Sequence, residues 1–215
     1  MSARENILSR IRGALKLDAQ AAGERTAGIE NYISAHARGP QPAMSWELIP
    51  RFKERAISLS STVDEIISVS SVPQAAESYL KERALPLSGV CWPEFAGLEW
   101  AGAGIAMEAR PARGDDLVGV TGCFCAIAET GTLVLLSGPD TPAATSLLPE
   151  THIAVVPVAR MVRTMEDAWA LVRAERGQLP RAVNLVSGPS RTADVDQTLS
   201  LGAHGPYRVH LLVVA

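Results

Sequence analysis

The spacing of apolar residues changes along this chain, and the changes mark out its elements. Near the amino terminus Ile7, Ile11 and Leu15 recur every fourth residue, with Leu8 alongside and Arg4, Arg10, Arg12 and Lys16 distributed around the stripe. That spacing predicts an amphipathic helix ending near Lys16. Ser2-Ala3-Arg4-Glu5 starts it as a capping box, with serine at the cap and glutamate three residues on. The stripe is expected to dock on the chain's own domain; the other reading is a handle for another subunit. Over 18–44 periodicity stops and Ala, Gly and Pro dominate, which predicts a long surface excursion with a single helical turn. Helical spacing returns at about 46–58. Ser71-Val72-Pro73-Gln74 reads as the start of a further helix, running to about Ala84. A short strand is expected over 88–92.

After Leu117 the pattern becomes that of a buried sheet. Thr132-Leu133-Val134-Leu135-Leu136 is an almost unbroken apolar run, and similar runs follow at 153–158, 182–186 and 209–214. Strands buried on both faces read this way, so the four runs are expected in one sheet. Thr141-Pro142 starts a short helix between them, and Thr164-Met165-Glu166-Asp167 caps a longer one that should stop at Gly177. Strands alternating with helices predict an α/β fold with a mostly parallel sheet flanked by helices, preceded by an N-terminal helical section. The expected division is 1–45, a helix and irregular surface segment, and 46–215, the α/β domain.

Composition narrows the function. The 215 residues are 47% hydrophobic, enough for a substantial core, and the net charge of -3 does not suit a nucleic-acid surface. No apolar run approaches a membrane span, and the N-terminus lacks the apolar core of a signal peptide, so a cytoplasmic location is expected. Cys91, Cys123 and Cys125 are too few for a disulfide framework. Cys123 and Cys125, on one face if they share a strand, are expected to pack as small hydrophobes and not to bind metal.

Two polar stretches stand beside the buried runs. In Gly119 to Leu135 the chain turns between strands, and Glu129 precedes Thr130-Gly131-Thr132. A carboxylate there can act as nucleophile, base or ligand-orienting group, or can satisfy backbone N–H groups around a bend. In the second stretch Gly188 and Pro189 break a strand, and Ser190, Arg191 and Thr192 follow at an expected helical turn. Such a junction can hold an anion, with Arg191 contacting a carboxylate or phosphate; alternatively Arg191 pairs with Asp194 or Asp196. His204, between Gly202-Ala203 and Gly205-Pro206, either meets a ligand or locks its turn. His152 and His210 fall in expected strands and read as structural. Glu129 is the candidate catalytic residue, and Gly131, Thr132, Gly188, Ser190, Arg191, Thr192, Asp194 and His204 are the candidate ligand-binding residues; Glu129, Ser190, Arg191, Thr192, Asp194 and His204 are expected to converge on one pocket.

These stretches carry a resemblance. Thr121-Gly122, Ala126-Ile127-Ala128-Glu129-Thr130-Gly131-Thr132-Leu133-Val134, Gly188-Pro189-Ser190-Arg191-Thr192-Ala193-Asp194 and Gly202-Ala203-His204-Gly205-Pro206 resemble the lactate-utilisation protein C family, or LUD-domain family. Cys123-Phe124-Cys125 departs from its pattern, in which a small residue is more often followed by a polar one. The resemblance implies a fold similar to the sugar-phosphate isomerase and coenzyme A transferase-like proteins. It implies a part in bacterial oxidation of L-lactate to pyruvate, beside two iron–sulfur-associated partner proteins. Joined to the residue reading, it makes an accessory or regulatory subunit with a small-anion site the leading function, and without a cysteine-rich iron–sulfur motif no cofactor is expected in this chain. The enzymatic alternative is acyl or coenzyme A transfer or hydrolysis with Glu129 as nucleophile or base.

Overall fold

The computed structural model describes residues 2–15, 19–192 and 200–215, without the side chains of 19–22. Contacts divide the chain into two units, Met1–Met44 and Ser45–Ala215. In the first unit, α1 (Ala3–Ala14) opens on the expected capping box: Glu5 N–H donates to Ser2 Oγ, and the Ser2 N–H to Glu5 Oε2. No residue of α1 is buried. The expected end at Lys16 lies outside the described residues. α2 (Ala19–Ala35) corrects the expected irregular excursion. Its alanines at 19, 21, 22, 27 and 35 favour a helix by propensity, and its large apolar residues, Ile29, Tyr32 and Ile33, form only one short group near its end.

In the second unit the chain runs through α3 (Leu48–Ser58), β1 (Thr62–Ile66), α4 (Val72–Glu82), β2 (Ser88–Cys91), β3 (Ala106–Ala109) and β4 (Val118–Thr121). It continues through β5 (Cys125–Ile127), β6 (Thr132–Leu136), α5 (Ala144–Leu147), β7 (Thr151–Pro157), β8 (Met161–Val162) and α6 (Met165–Arg176). β9 (Val183–Val186), β10 (Arg191–Thr192), β11 (Ser200–Leu201) and β12 (Arg208–Val214) complete it. The main sheet has six strands in the order β1-β12-β7-β4-β2-β3, paired in parallel throughout. This is the expected α/β fold with a mostly parallel sheet flanked by helices.

A second sheet, β8-β5-β6-β9, is mixed: β6 runs antiparallel to both its neighbours. The runs at 153–158 and 209–214 therefore share the main sheet, while those at 132–136 and 182–186 pair in the second. This corrects the expectation of one sheet for all four. The reason is that an unbroken apolar run reports burial on two faces, not the direction of the neighbouring strand. Leu133 and Leu135 enter the core shared with the main sheet, whereas Val134 and Leu136 pack with Ala168 and Val172 of α6. The second sheet is thus a middle layer with apolar cover on each side. Cys123 precedes β5 and packs against the first core, while Cys125 belongs to the second, so the two do not share a strand face.

Candidate functional site

Three of the sequence-marked residues, Gly131, Gly188 and Arg191, gather around the carboxyl end of α3. Gly131, with φ +68°, closes the β5–β6 hairpin so tightly that an added Cβ would come within 2.5 Å of the Ala56 nitrogen. Gly188, with φ +80°, lies against the Leu59 carbonyl, where a side chain would collide with backbone. Arg191 donates from Nη2 to Leu59 O at 3.1 Å and to Ser60 Oγ. Its partners are groups of the chain itself. Thr130 donates to Thr132 at 2.8 Å, and the Thr132 and Ser187 hydroxyls lie 2.7 Å apart, linking the two motifs. Glu129 stands half-buried at the hairpin tip, its N–H bonded to Arg163 O. Arg191 and Thr192 form a strand paired with Ser200 and Leu201, which corrects the expected helical turn. The N–H of Ser190 bonds to Pro206 O, and its carbonyl accepts from Gly202, so the 202–206 loop lies beside it with His204 exposed. Asp194 lies outside the described residues.

A different constellation forms where the main sheet changes direction. The connection leaving β2 runs to β3 at one edge, while that leaving β4 heads towards β7 and the opposite edge. Connections that part in this way leave a crevice at the carboxyl ends of the strands. A cleft of about 310 Å³ opens there, lined by Trp92, Glu94, Cys123, Phe124, Leu136, Thr141, Pro157, Arg160 and Arg176. A neighbouring lobe of about 290 Å³ shares Leu136, Thr141 and Arg176 with it and adds Ser137, Asp140 and Gln178.

Each wall of the cleft has an identifiable support. Trp92 continues the β2–β4 pairing through its N–H to Val120 O, and its indole donates to Pro142 O at 3.2 Å. A turn at Pro93–Phe95 carries Glu94, whose carboxyl group lies on Gly122 where any Cβ would collide with Oε1. Much of the Glu94 side chain meets solvent, but loss of water around the carboxyl raises its pKa. Below it His152 Nε2 meets Thr121 Oγ1 at 2.7 Å, and that hydroxyl donates to Gly122 O at 2.9 Å. The hydroxyl proton being committed, Nε2 carries the imidazole proton and Nδ1 is a bare acceptor. Burial holds the ring neutral, with a pKa of about 4.

The two arginines are differently placed. Arg160 grips Glu175 with both terminal nitrogens, at 2.7 and 3.0 Å, and donates from Nε to Phe124 O. Arg176, exposed, lies 5.5 Å from the Phe124 ring and makes no ion pair among the described residues. Burial keeps Cys125 a thiol, its pKa pushed up to about 11, and raises Cys123 further. Neither is a ready thiolate. Among the described residues no cluster of three or more His, Cys, Asp or Glu side chains is placed to hold a metal ion.

Comparison with known proteins places this architecture. A model of the LUD domain matches residues 59–214. The chain belongs to the LUD-domain family. Lactate utilization protein C of Bacillus licheniformis is 35% identical over 127 residues, 57% of this chain and 53% of the relative. Lactate utilization protein C of Bacillus subtilis is 38% identical over 101 residues, 46% of this chain and 42% of the relative. The chain thus aligns with about half the length of the curated relatives it matches. A DUF162 family protein of known structure from Deinococcus radiodurans superposes with a TM-score of 0.57 at 26% identity, covering 81% of this chain and all of that one. The LUD match contains both the motif residues around α3 and the switch-point cleft. Sequence reasoning found the first group and missed Glu94, Arg160 and Arg176. Trp92-Pro93-Glu94 directly after a strand was the one local signal for the cleft. The arginines read as ordinary surface charges until the strand order brings them together.

Proposed function

We propose that this chain is a cytoplasmic component of a bacterial system oxidising L-lactate to pyruvate. It acts as an accessory or regulatory subunit with a small-anion site, beside two iron–sulfur-associated proteins. The observation that carries this reading is the LUD match over 59–214, together with relatives named for lactate utilization. The chemistry of the chain supports the division of labour. The chain has three cysteines, with Cys91 and Cys125 in separate cores, whereas an iron–sulfur cluster is usually held by four cysteine thiolates. Electron transfer is therefore assigned to the partners. Deleting the gene in its host should abolish growth on L-lactate and spare growth on other carbon sources, with rescue by the wild-type gene. A pull-down from lactate-grown cells should bring down two iron-containing proteins. Normal lactate oxidation in a clean deletion strain lacking a duplicate gene would refute the proposal.

A further inference from the structure

The switch-point cleft has a polarity that its structural duties leave unexplained. Arg160 is saturated by Glu175 and the Phe124 carbonyl. Arg176 faces the same cleft from the last turn of α6 without such a partner, its guanidinium beside the Phe124 ring. Across the cleft Glu94 places a carboxyl group on Gly122, near the Cys123 thiol, and makes no hydrogen bond or ion pair among the described residues. A lone guanidinium and a lone carboxyl group, separated by the apolar surfaces of Phe124 and Leu136, face a space the size of a small-molecule site. Backbone is fixed on both sides: the Trp92 indole ties to Pro142, and His152 acts through Thr121 on Gly122.

We infer that this cleft binds a short carboxylate bearing an oxygen on the adjoining carbon, with Arg176 pairing the carboxylate and Glu94 the second oxygen. The inference rests on the functional reading above for its choice of oxygenated acids, and on the cleft alone for its placement. Guanidinium and carboxylate match as a two-pronged pair. Thr141, whose hydroxyl proton is donated to Leu136 O, adds an acceptor at the mouth. Asp140 in the outer lobe repels a second carboxylate, which selects a monocarboxylate over a diacid. Desolvation raises the pKa of Glu94; its carboxyl oxygens accept from a ligand hydroxyl group in either form, and a protonated carboxyl group donates to a keto oxygen.

Calorimetric titration of the full chain with L-lactate, pyruvate, propionate and inorganic phosphate tests this. Lactate and pyruvate should bind more tightly than propionate, which lacks the second oxygen. Arg176→Gln should weaken all three acids about tenfold or more, the loss of one charge-assisted contact. Glu94→Ala should bring lactate and pyruvate down to the affinity of propionate and leave propionate unchanged. Both variants should melt within a few degrees of wild type, since each side chain is exposed at the cleft and Arg176 adds only a surface cation–π contact to the Phe124 ring. Unaltered binding in Arg176→Gln, preference for phosphate, or no saturable binding at millimolar concentrations would overturn the assignment. The two readings fail separately. Lost growth on L-lactate in the deletion strain with no binding here removes the cleft and keeps the component; binding with normal growth does the reverse.

Discussion

Arg191 shows how a residue's chemistry and its employment can part. Its cationic side chain beside Gly188 and Ser190 fits anion binding, yet the guanidinium bonds to Leu59 O and Ser60, capping the end of α3. Arg191→Ala is accordingly expected to lower stability by about 0.5–1.5 kcal/mol, the net worth of such bonds. Gly188→Ala should cost more, about 2–4 kcal/mol. It combines a left-handed backbone with a collision against the Leu59 carbonyl, which cannot move without unwinding the helix end. Urea titrations of the two variants give the comparison, and an equal or smaller loss in Gly188→Ala would contradict the packing described. The buried histidines make a second residue-scale prediction. His152 and His210 are each held at a pKa of about 4 by burial, below the usual value near 6.5. From about pH 6.5 down to 4 the unfolded chain takes up protons that the folded chain refuses, so stability falls with pH across that window and levels off below it. Each ring contributes on the order of 3 kcal/mol to the fall. Denaturant midpoints measured from neutral pH to about 4 should show it, and His210→Gln should flatten the profile.

At the scale of elements, the middle layer decides what a strand residue does. Leu133 faces the core shared with the main sheet, and Leu136 faces α6. Leu133→Ala and Leu136→Ala are both expected to destabilise by about 2–5 kcal/mol, as core truncations on either face of a sandwiched strand. A near-neutral Leu136→Ala would mean that α6 does not cover this face. The same layer explains which elements could be read from sequence. α3, α4 and α6 announced themselves through periodicity and caps, and β7 and β12 through continuous apolar residues. β6 was found for the same reason but placed in the wrong sheet, because burial on both faces carries no information about direction. β1 escaped notice because Asp64 and Glu65 interrupt it, which an edge strand tolerates. α2 escaped because its apolar spacing is confined to Ile29, Tyr32 and Ile33, too short a group to mark seventeen residues. The motif glycines were legible, since close approach to α3 needs them. The cleft was not, because Glu94 and Arg176 meet only through a strand order that no local pattern encodes.

At the scale of the molecule, the boundaries of the family match and of the folding unit differ. The LUD match begins at residue 59, just after α3, whereas the compact unit begins at Ser45. α3 belongs to the core: Phe52 and Ala56 are fully buried, and the hairpin turn at Gly131 rests on its last turn. Gly188 and Arg191 then seat the second motif on Leu59 and Ser60 at its end. A fragment of residues 59–215 would expose the surfaces that Phe52 and Ala56 fill. The loss of Phe52 alone amounts to about 3–5 kcal/mol, much of the stability of a domain this size. A fragment of residues 45–215 keeps every buried core residue of the chain that is described. It should unfold in one cooperative step at the denaturant midpoint of the full chain, while the 59–215 fragment should be largely unfolded or aggregate. Circular dichroism melts and size-exclusion profiles of the two fragments separate these outcomes. If 59–215 folds as stably as 45–215, α3 is an ornament on the LUD domain and the glycines that press against it have some other purpose.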